Sequence, residues 1–308
     1  MVLTLYFNPL SAPCRSILMF CKATRIPLVE KVLDLQAGEH KKPQFLLINP
    51  MGEIPAIKDD SFLLSESVAI AKYLAEKYQV NLHWYPTDLE KRARVDQILA
   101  WHHTNLRRKV IEIFKDEVIL PFMRSQKVEA SVLEEHVKDL NKSLVHIQKH
   151  ILGDQDYLCG DEISLADIFV ACELMQTNIS GRDVLKDYPK LRQWFDLVRV
   201  TLSPIFEEVH SAVYEFRDRV IAGNKEEKRE EKVKQMREIR RRESTDPEGE
   251  VIKLELDDNL NFKPETEADK SREKQNGAQE NDVKENDIKE NGTNAKEEGN
   301  EATVQVGE

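Results

Sequence analysis

The chain has 308 residues, room for two domains, and its net charge of −11 is unevenly spread. Residues 224–308 carry 17 basic and 25 acidic side chains, and only 12 of these 85 residues are Leu, Ile, Val or Phe. Such a segment cannot bury enough apolar surface to offset ordering its backbone, so 223–308 is expected to be a charged, mostly disordered tail.

In the remaining body, Leu3, Leu5 and Phe7 alternate with Val2, Thr4 and Tyr6, which predicts a short strand. Asn8 to Pro13 is a turn, and Pro13 suits the first turn of a helix carrying Ile17, Leu18, Phe20 and Cys21. Leu28 to Leu35 predicts a second strand. Glu53 to Ile57 and Phe62 to Leu64 predict two more, joined by a turn at Asp59-Asp60-Ser61. Ser65 is expected to cap a helix through Tyr78 with Ile70, Ala71 and Leu74 inward. This order suits a small mixed sheet flanked by helices.

Strand signals then stop. After a linker at Pro86 to Asp88, Val95, Ile98, Leu99, His102, Leu106, Val110 and Ile113 step by three or four, marking a long helix. Leu133, Val137, Leu140, Leu144, Ile147 and Ile151 mark a second, expected to open with a capping box of Ser131 and Glu134. A third opens at Ser164 to Asp167, with Ile163 and Ile168 at the positions of a hydrophobic staple. A fourth begins near Pro189. A fifth begins near Pro204, with Ile205, Val209, Val213, Phe216 and Val220 inward. Residues 225–243 suit a solvated helix, supported by the i,i+4 pairs Glu230/Lys234 and Glu238/Arg242. No structure is assigned beyond Ser244.

Function classes narrow in the same way. No apolar run approaches the ~20 residues of a membrane helix. Met1 to Tyr6 lacks the charged and apolar regions of a signal peptide. Residues 1–223 are close to neutral, so no nucleic-acid footprint is expected. Cys14, Cys21, Cys159 and Cys172 form no CxxC pair and no metal-ligand spacing, so no metal is expected and a reducing, cytoplasmic location fits.

Five places offer chemistry. Ser11 precedes the first helix, where it either caps the helix or offers a hydroxyl at the positive end of its dipole. Cys14 beside it is either a reactive thiol or a buried structural one. Ile54-Pro55 suits a sheet edge, in either a cis or an ordinary trans bond. Ser65-Glu66-Ser67 opens a helix whose free N–H groups could hold a carboxylate, or simply caps it. On the long helix, His102 falls on the apolar face, and one of Arg107 and Arg108 could face a cleft. Finally, Arg240 to Ser244 is either a basophilic kinase or localisation motif, or a solvated basic run.

These features in this order resemble the cytosolic glutathione transferases, specifically the theta class, from about Leu3 to Val220. The markers are Leu10 to Arg15, Asp34-Leu35 followed by Gly38-Glu39-His40, and Asn49-Pro50 before Ile54-Pro55-Ala56. Others are Ser65 to Ile70, Trp84-Tyr85-Pro86, Arg92 to Asp96 and Ile163 to Asp167. Each is weak alone; in register they are specific. The resemblance implies a thioredoxin-like glutathione-binding domain at 1–80, an all-helical domain at 88–222 and a homodimer. It also implies conjugation of reduced glutathione, as co-substrate, to small electrophiles, with organic hydroperoxides as a possible further substrate. No permanently bound cofactor is implied.

Carried over by position, Ser11 would be the catalytic hydroxyl that stabilises the glutathione thiolate. His40 and Lys41 would hold the glycine carboxylate, with Glu53 beside it where the class often has Lys. Ile54 would pair through its backbone with the cysteinyl unit, and Glu66 and Ser67 would hold the γ-glutamyl end. Thr104 would reach glutathione in the neighbouring subunit. Arg107 would face the second-substrate pocket and favour anionic leaving groups, while Lys115 stands where the class often has an aromatic residue. The class's covering C-terminal segment has no clear counterpart after Val220. The alternative is a non-catalytic scaffold with a charged extension, as in the gamma subunit of translation elongation factor 1.

Overall fold

A computed structural model describes residues 3–126, 128–243, 255–256 and 262–263. The chain divides into two compact units, Met1–Met236 and Arg237–Glu308. The first unit opens with β1 (Leu3–Phe7), α1 (Ala12–Ala23), β2 (Val29–Val32) and α2 (Pro43–Leu46). It continues with β3 (Ala56–Asp59), β4 (Phe62–Ser65) and α3 (Ser67–Lys77). The sheet order is β2-β1-β3-β4. β1 runs parallel to β2 and antiparallel to β3, with Leu5 opposite Ile57, and β4 closes antiparallel on β3.

The predicted alternation in β1 is what layers this unit. Leu3, Leu5 and Phe7 are buried against Ile17, Phe20, Ile70 and Leu74 of α1 and α3. Tyr6 points to the other face, where its ring meets Phe45 of α2 at 5.8 Å. A sheet thus sits between two helices on one side and one short helix on the other, a thioredoxin-like layer order. The expected strand at 28–35 is shorter, Val29–Val32, and exposed along its length because it is the sheet edge.

The helical part comprises α4 (Leu89–Trp101), α5 (Arg107–Phe114), α6 (Ala130–His146), α7 (Leu165–Leu174), α8 (Pro189–Thr201) and α9 (Ile205–Glu243). The expected single long helix is α4 and α5 joined through wider π-type turns at His102–Leu106, followed by another such stretch at Lys115–Met123. Its apolar face is as predicted, and His102 and Leu106 on that face are buried. The step of four along 102, 106 and 110 exceeds the 3.6 of an α-helix, which a wider turn accommodates. Pro121 in the second stretch has no N–H to give an α-helical ladder.

All ten residues of α7 are buried, and α7 packs on α1, joining the sheet layers to the helices. The capping box predicted at its start forms: Ser164 N and Oγ donate to Asp167 Oδ2 at 2.9 and 2.8 Å. Asp167 Oδ1 also accepts from Leu158 N at 2.8 Å and Trp194 Nε1 at 2.9 Å. The box predicted at Ser131 and Glu134 does not form. α6 begins two residues earlier than that box requires, at Ala130, and its N-cap is Glu129 without a side-chain bond. Ser131 is therefore already inside the helix. α9 runs through the predicted 225–243 segment.

In the second unit, Glu255–Leu256 (β5) pairs antiparallel with Phe262–Lys263 (β6), two strands where no structure was expected. Ser244 lies outside the described residues.

Candidate functional site

Ser11 occupies the N-cap position of α1, with φ −88° and ψ 119°. Its N–H donates to Asn8 O and its carbonyl accepts from Arg15 N, both at 3.0 Å. Its side chain makes no capping bond. The capping alternative is therefore not realised, and the hydroxyl stands half-buried at the positive end of α1. Beside it, burial pushes the Cys14 thiol up to about 11, more than the Ser11 hydroxyl and nearby charges lower it. Burial likewise raises Cys172 to about 11 and Cys21 and Cys159 to about 12. All four are thiols at neutral pH, so the reactive-cysteine alternative falls.

Arg15 holds this loop from beneath. It is fully buried and donates to Pro9 O at 3.1 Å, Cys172 O at 3.1 Å and Gln176 Oε1 at 2.9 Å. One guanidinium thus ties the loop before Ser11 to α7. Burial lowers its affinity for the proton, but the normal value is so high that the cation persists.

Ser11 opens onto a cleft of about 1150 Å³. Its first wall is the Asn8–Pro13 turn together with the end of β2 and the loop as far as His40. Its second is α5 and the stretch after it, through Arg107, Ile111, Phe114, Ile119, Met123 and Arg124. Glu173 and Gln176 form the floor, and Ala212, Glu215, Phe216 and Arg219 of α9 close the side. The structure therefore unites three of the expected site residues, Ser11, His40 and Arg107, on one cleft.

The cleft's apolar lining was not read from the sequence. Ile111 and Phe114 fall outside the buried stripe of Leu106, Val110 and Ile113, and this second apolar stripe beside Arg107 was the available signal. Nor was a covering segment found after Val220. Before that point, Phe216 of α9 lines the cleft and packs edge-on against Phe122 at 5.7 Å. Lys115 is exposed and outside the lining, while its neighbour Phe114 lines the cleft.

The other expected residues, Lys41, Glu53, Ile54, Glu66, Ser67 and Thr104, lie outside the lining of this cleft. His40 and Lys41 sit on a 3-10 turn, Glu39–Lys41, entered by Gly38 in the left-handed region. Glu39 Oε2 accepts from Asp34 N at 2.9 Å and fastens that turn. His40 Nδ1 is sealed from solvent without a hydrogen-bond partner. Lys41 Nζ donates to Met51 O at 3.3 Å, and its stem lies on Gly52. Gly52 has φ +63°, and a Cβ there would come within 2.9 Å of His40 O, so no larger residue fits.

Glu53 is exposed; only its carbonyl is engaged, by Asn49 Nδ2 at 2.8 Å. The Ile54-Pro55 bond is cis. Ser65, expected as the cap of α3, instead ends β4. The N-cap is Glu66, at φ +70° and without a side-chain bond, so Ser67 opens the helix with its first N–H groups uncapped. A non-glycine residue in that region is strained. Thr104 is exposed on the π-type turn, donating to Ala100 O at 3.3 Å and accepting from Asn105 Nδ2 at 3.0 Å. Arg108 is exposed and takes no part.

A buried ionic group backs Arg107. Glu173 Oε2 lies 3.2 Å from His102 Nε2 and 3.5 Å from Arg107 Nη1. Burial alone would raise the Glu173 carboxyl; His102, Arg107 and Arg15 outweigh it and hold it below the usual range. Among the described residues no cluster of three or more potential metal ligands occurs, and no helix is long and apolar enough to cross a membrane.

A thioredoxin-like sheet, an all-helical partner and a serine-lined cleft between them define the glutathione-transferase architecture. Residues 1–76 match the N-terminal domain of glutathione S-transferase and residues 111–199 its C-terminal domain. Glutathione S-transferase theta-1 of Rattus norvegicus is 40 % identical over 219 residues, covering 71 % of this chain and 91 % of the relative. The theta-1 protein of Homo sapiens is 37 % identical with the same coverage. The apo structure of human glutathione-S-transferase T1-1 superposes with a TM-score of 0.68, over 70 % of this chain and 91 % of that one, at 37 % identity. A human theta-class structure holding the glutathione conjugate of 1-menaphthyl sulfate gives 0.69 over 73 % and 92 %, at 33 % identity. The chain belongs to the theta group of the glutathione S-transferase family.

Proposed function

We propose that the protein conjugates reduced glutathione to small electrophiles, with Ser11 donating a hydrogen bond to the glutathione sulfur. One observation carries this: the Ser11 hydroxyl stands at the N-terminus of α1, on a cleft, without a capping bond. The free glutathione thiol has a pKa near ~8.5, so only a few per cent is thiolate at pH 7. Lowering it by ~2 units requires about 2.7 kcal/mol of differential stabilisation. One charge-assisted hydrogen bond and one helix terminus are of that size. The thiolate then forms a C–S bond at the electrophilic carbon. The carbon–leaving-group bond breaks with its electron pair on the leaving group, and the thiol proton passes to solvent.

Domains at 1–80 and 88–222 with a tail at 223–308 divide the labour. His40 and Lys41 hold the glycine carboxylate, and the unpartnered Nδ1 of His40 supports a site completed by a ligand. Ile54 offers its backbone to the cysteinyl unit. The uncapped start of α3 at Glu66 and Ser67 suits the γ-glutamyl carboxylate. Thr104, outside the cleft, serves the glutathione of the second subunit of a homodimer. Glu53 places a like charge near the glycine end and weakens binding there. A cytoplasmic location fits the four unpaired thiols, three of them buried.

The test is the thiolate absorbance of bound glutathione titrated against pH, in the wild type and in Ser11→Ala. A depressed pKa that returns toward ~8.5 in the variant is expected. An unshifted pKa in the wild type would overturn the role of Ser11, and an absence of binding would favour the scaffold.

A further inference from the structure

We infer that the outer half of α9 carries a two-part nuclear import signal, read by a transport receptor whose groove offers two acidic pockets. The first part is Lys228-Arg229 and the second is Arg240-Arg241-Arg242, with ten residues, 230–239, between them. This inference stands apart from the conjugation reading and makes no use of the cleft.

α9 runs from Ile205 to Glu243, but only its first half is packed. Phe206, Val209, Val213, Phe216 and Val220 are buried there. From 221 to 237 none of the described side chains is buried, and Lys225, Arg229, Lys232, Lys234 and Arg237 are exposed. A helix without tertiary packing is marginal in water, so this stretch can unwind onto a partner at little cost. An extended chain then lays its two basic clusters along a groove, with the spacer bridging between them.

The distribution of charge selects the partner. Residues 225–243 hold nine basic and six acidic side chains, so the net excess is small. Glu226, Glu227, Glu230 and Glu231 crowd the first cluster from both sides. A nucleic acid or an anionic membrane responds to charge summed along its surface, and these carboxylates oppose it. Two discrete acidic pockets respond to the clusters alone and leave the glutamates in solvent. Basic runs of this kind serve as localisation signals. Two weak sites on one chain act through effective concentration, so removing either cluster should cost about 100-fold in affinity. The nucleus is reducing, as the cytoplasm is, so the four unpaired thiols suit both compartments. Nucleic-acid bases are themselves nucleophiles, and a conjugating enzyme carried there would meet small electrophiles beside their targets.

The test uses the full chain joined to a pair of fluorescent proteins, a fusion too large to diffuse through nuclear pores, in cultured human cells. The expected result is a nuclear-to-cytoplasmic fluorescence ratio well above that of the fluorescent pair alone, lost on depletion of ATP. Lys228→Ala with Arg229→Ala, and Arg240→Ala with Arg241→Ala and Arg242→Ala, should each bring the ratio down to that of the pair alone. Combining them should lower it no further. Lys232→Gln with Lys234→Gln removes as much charge as the first set but lies in the spacer, and should leave the ratio unchanged. A wild-type ratio no higher than that of the pair alone would overturn the inference. So would accumulation that persists without ATP. Equal falls in the cluster and spacer variants would also overturn it, in favour of retention on nucleic acid through net charge. Each variant is purified and its unfolding midpoint compared with the wild type. Should an alanine set fail to fold, the glutamine substitutions at the same positions are measured in its place.

Discussion

Among the described residues, two helices begin with a serine at the N-cap, and they use it in opposite ways. At α7, Ser164 is locked into a box with Asp167, whose carboxylate receives four donors in an interior closed to water. At α1, Ser11 stands in the same formal position, and its side chain makes no capping bond. The start of α1 is instead held by Arg15, which grips the loop through Pro9 O from below. An unmade capping bond is worth about 1 kcal/mol of stability. Leaving it unmade keeps a hydroxyl and a helix dipole available to a ligand, so the place where a local rule is broken is also the candidate for chemistry.

The contrast can be broken most strongly at Asp167. Asp167→Ala strands the Leu158 and Trp194 N–H groups in the interior and opens the box. A loss of about 3–5 kcal/mol is expected from urea unfolding, with any retained folded fraction keeping its thiol chemistry. A loss under 1 kcal/mol would mean the network is only geometric. At Ser11 the signs reverse. Ser11→Ala should leave unfolding within about 0.5 kcal/mol, because no capping bond is lost. It should lower kcat/KM for conjugation at pH 7 by roughly 10–100-fold, matching a thiol returned to its free pKa. A clear destabilisation with unchanged turnover would reassign Ser11 to the structural class of Ser164.

His210 lies between these extremes, half committed. Its Nδ1 donates to Phe206 O at 2.8 Å, while Nε2 is buried with no partner. Burial, with the Arg15 charge adding to it, pushes its pKa down to about 3. The unfolded value is about 6.5, so between these limits the unfolded chain binds the extra proton. Stability should therefore fall as pH drops through that window, by up to about 1.4 kcal/mol per pH unit from this one group. His210→Phe should flatten that slope in unfolding curves between pH 6.5 and pH 4; an unchanged slope would assign it to other groups.

Much of this was legible in the sequence, and the misses share a cause. Periodicity located the strands of the sheet, the apolar face from Val95 to Ile113 and the α7 box, because each depends on neighbours within a turn or a strand. The site was legible as residues but not as a cavity. Ser11, His40 and Arg107 come together across three elements, and Glu173 and Phe216 join them from two more. No local pattern marks Glu173 as anything but one polar residue in an apolar helix. Likewise, Phe216 and Arg219 line the cleft from α9, where the sequence shows only one more amphipathic helix. The cap of α3 was misplaced by one residue, at Ser65, because β4 runs on and the helix is entered through the strained Glu66, which no propensity predicts.

The smallest effect separates signature from bond. Ser131 and Glu134 carry the same spacing as Ser164 and Asp167, yet α6 starts at Ala130 and leaves Ser131 in its first turn with no cap to make. A serine there competes with the backbone for hydrogen bonds and has lower helix propensity than alanine. Ser131→Ala should therefore be neutral or stabilising by up to about 0.5 kcal/mol. Ser164→Ala should cost about 1 kcal/mol or more, since it removes a real cap from an interior helix. Equilibrium unfolding of the two variants side by side decides it. If both lose stability alike, the pattern alone defines a cap and α6 begins two residues later, at Val132. If they differ in sign, the cap is made by the burial that holds Asp167 in place, and an exposed copy of the motif does nothing.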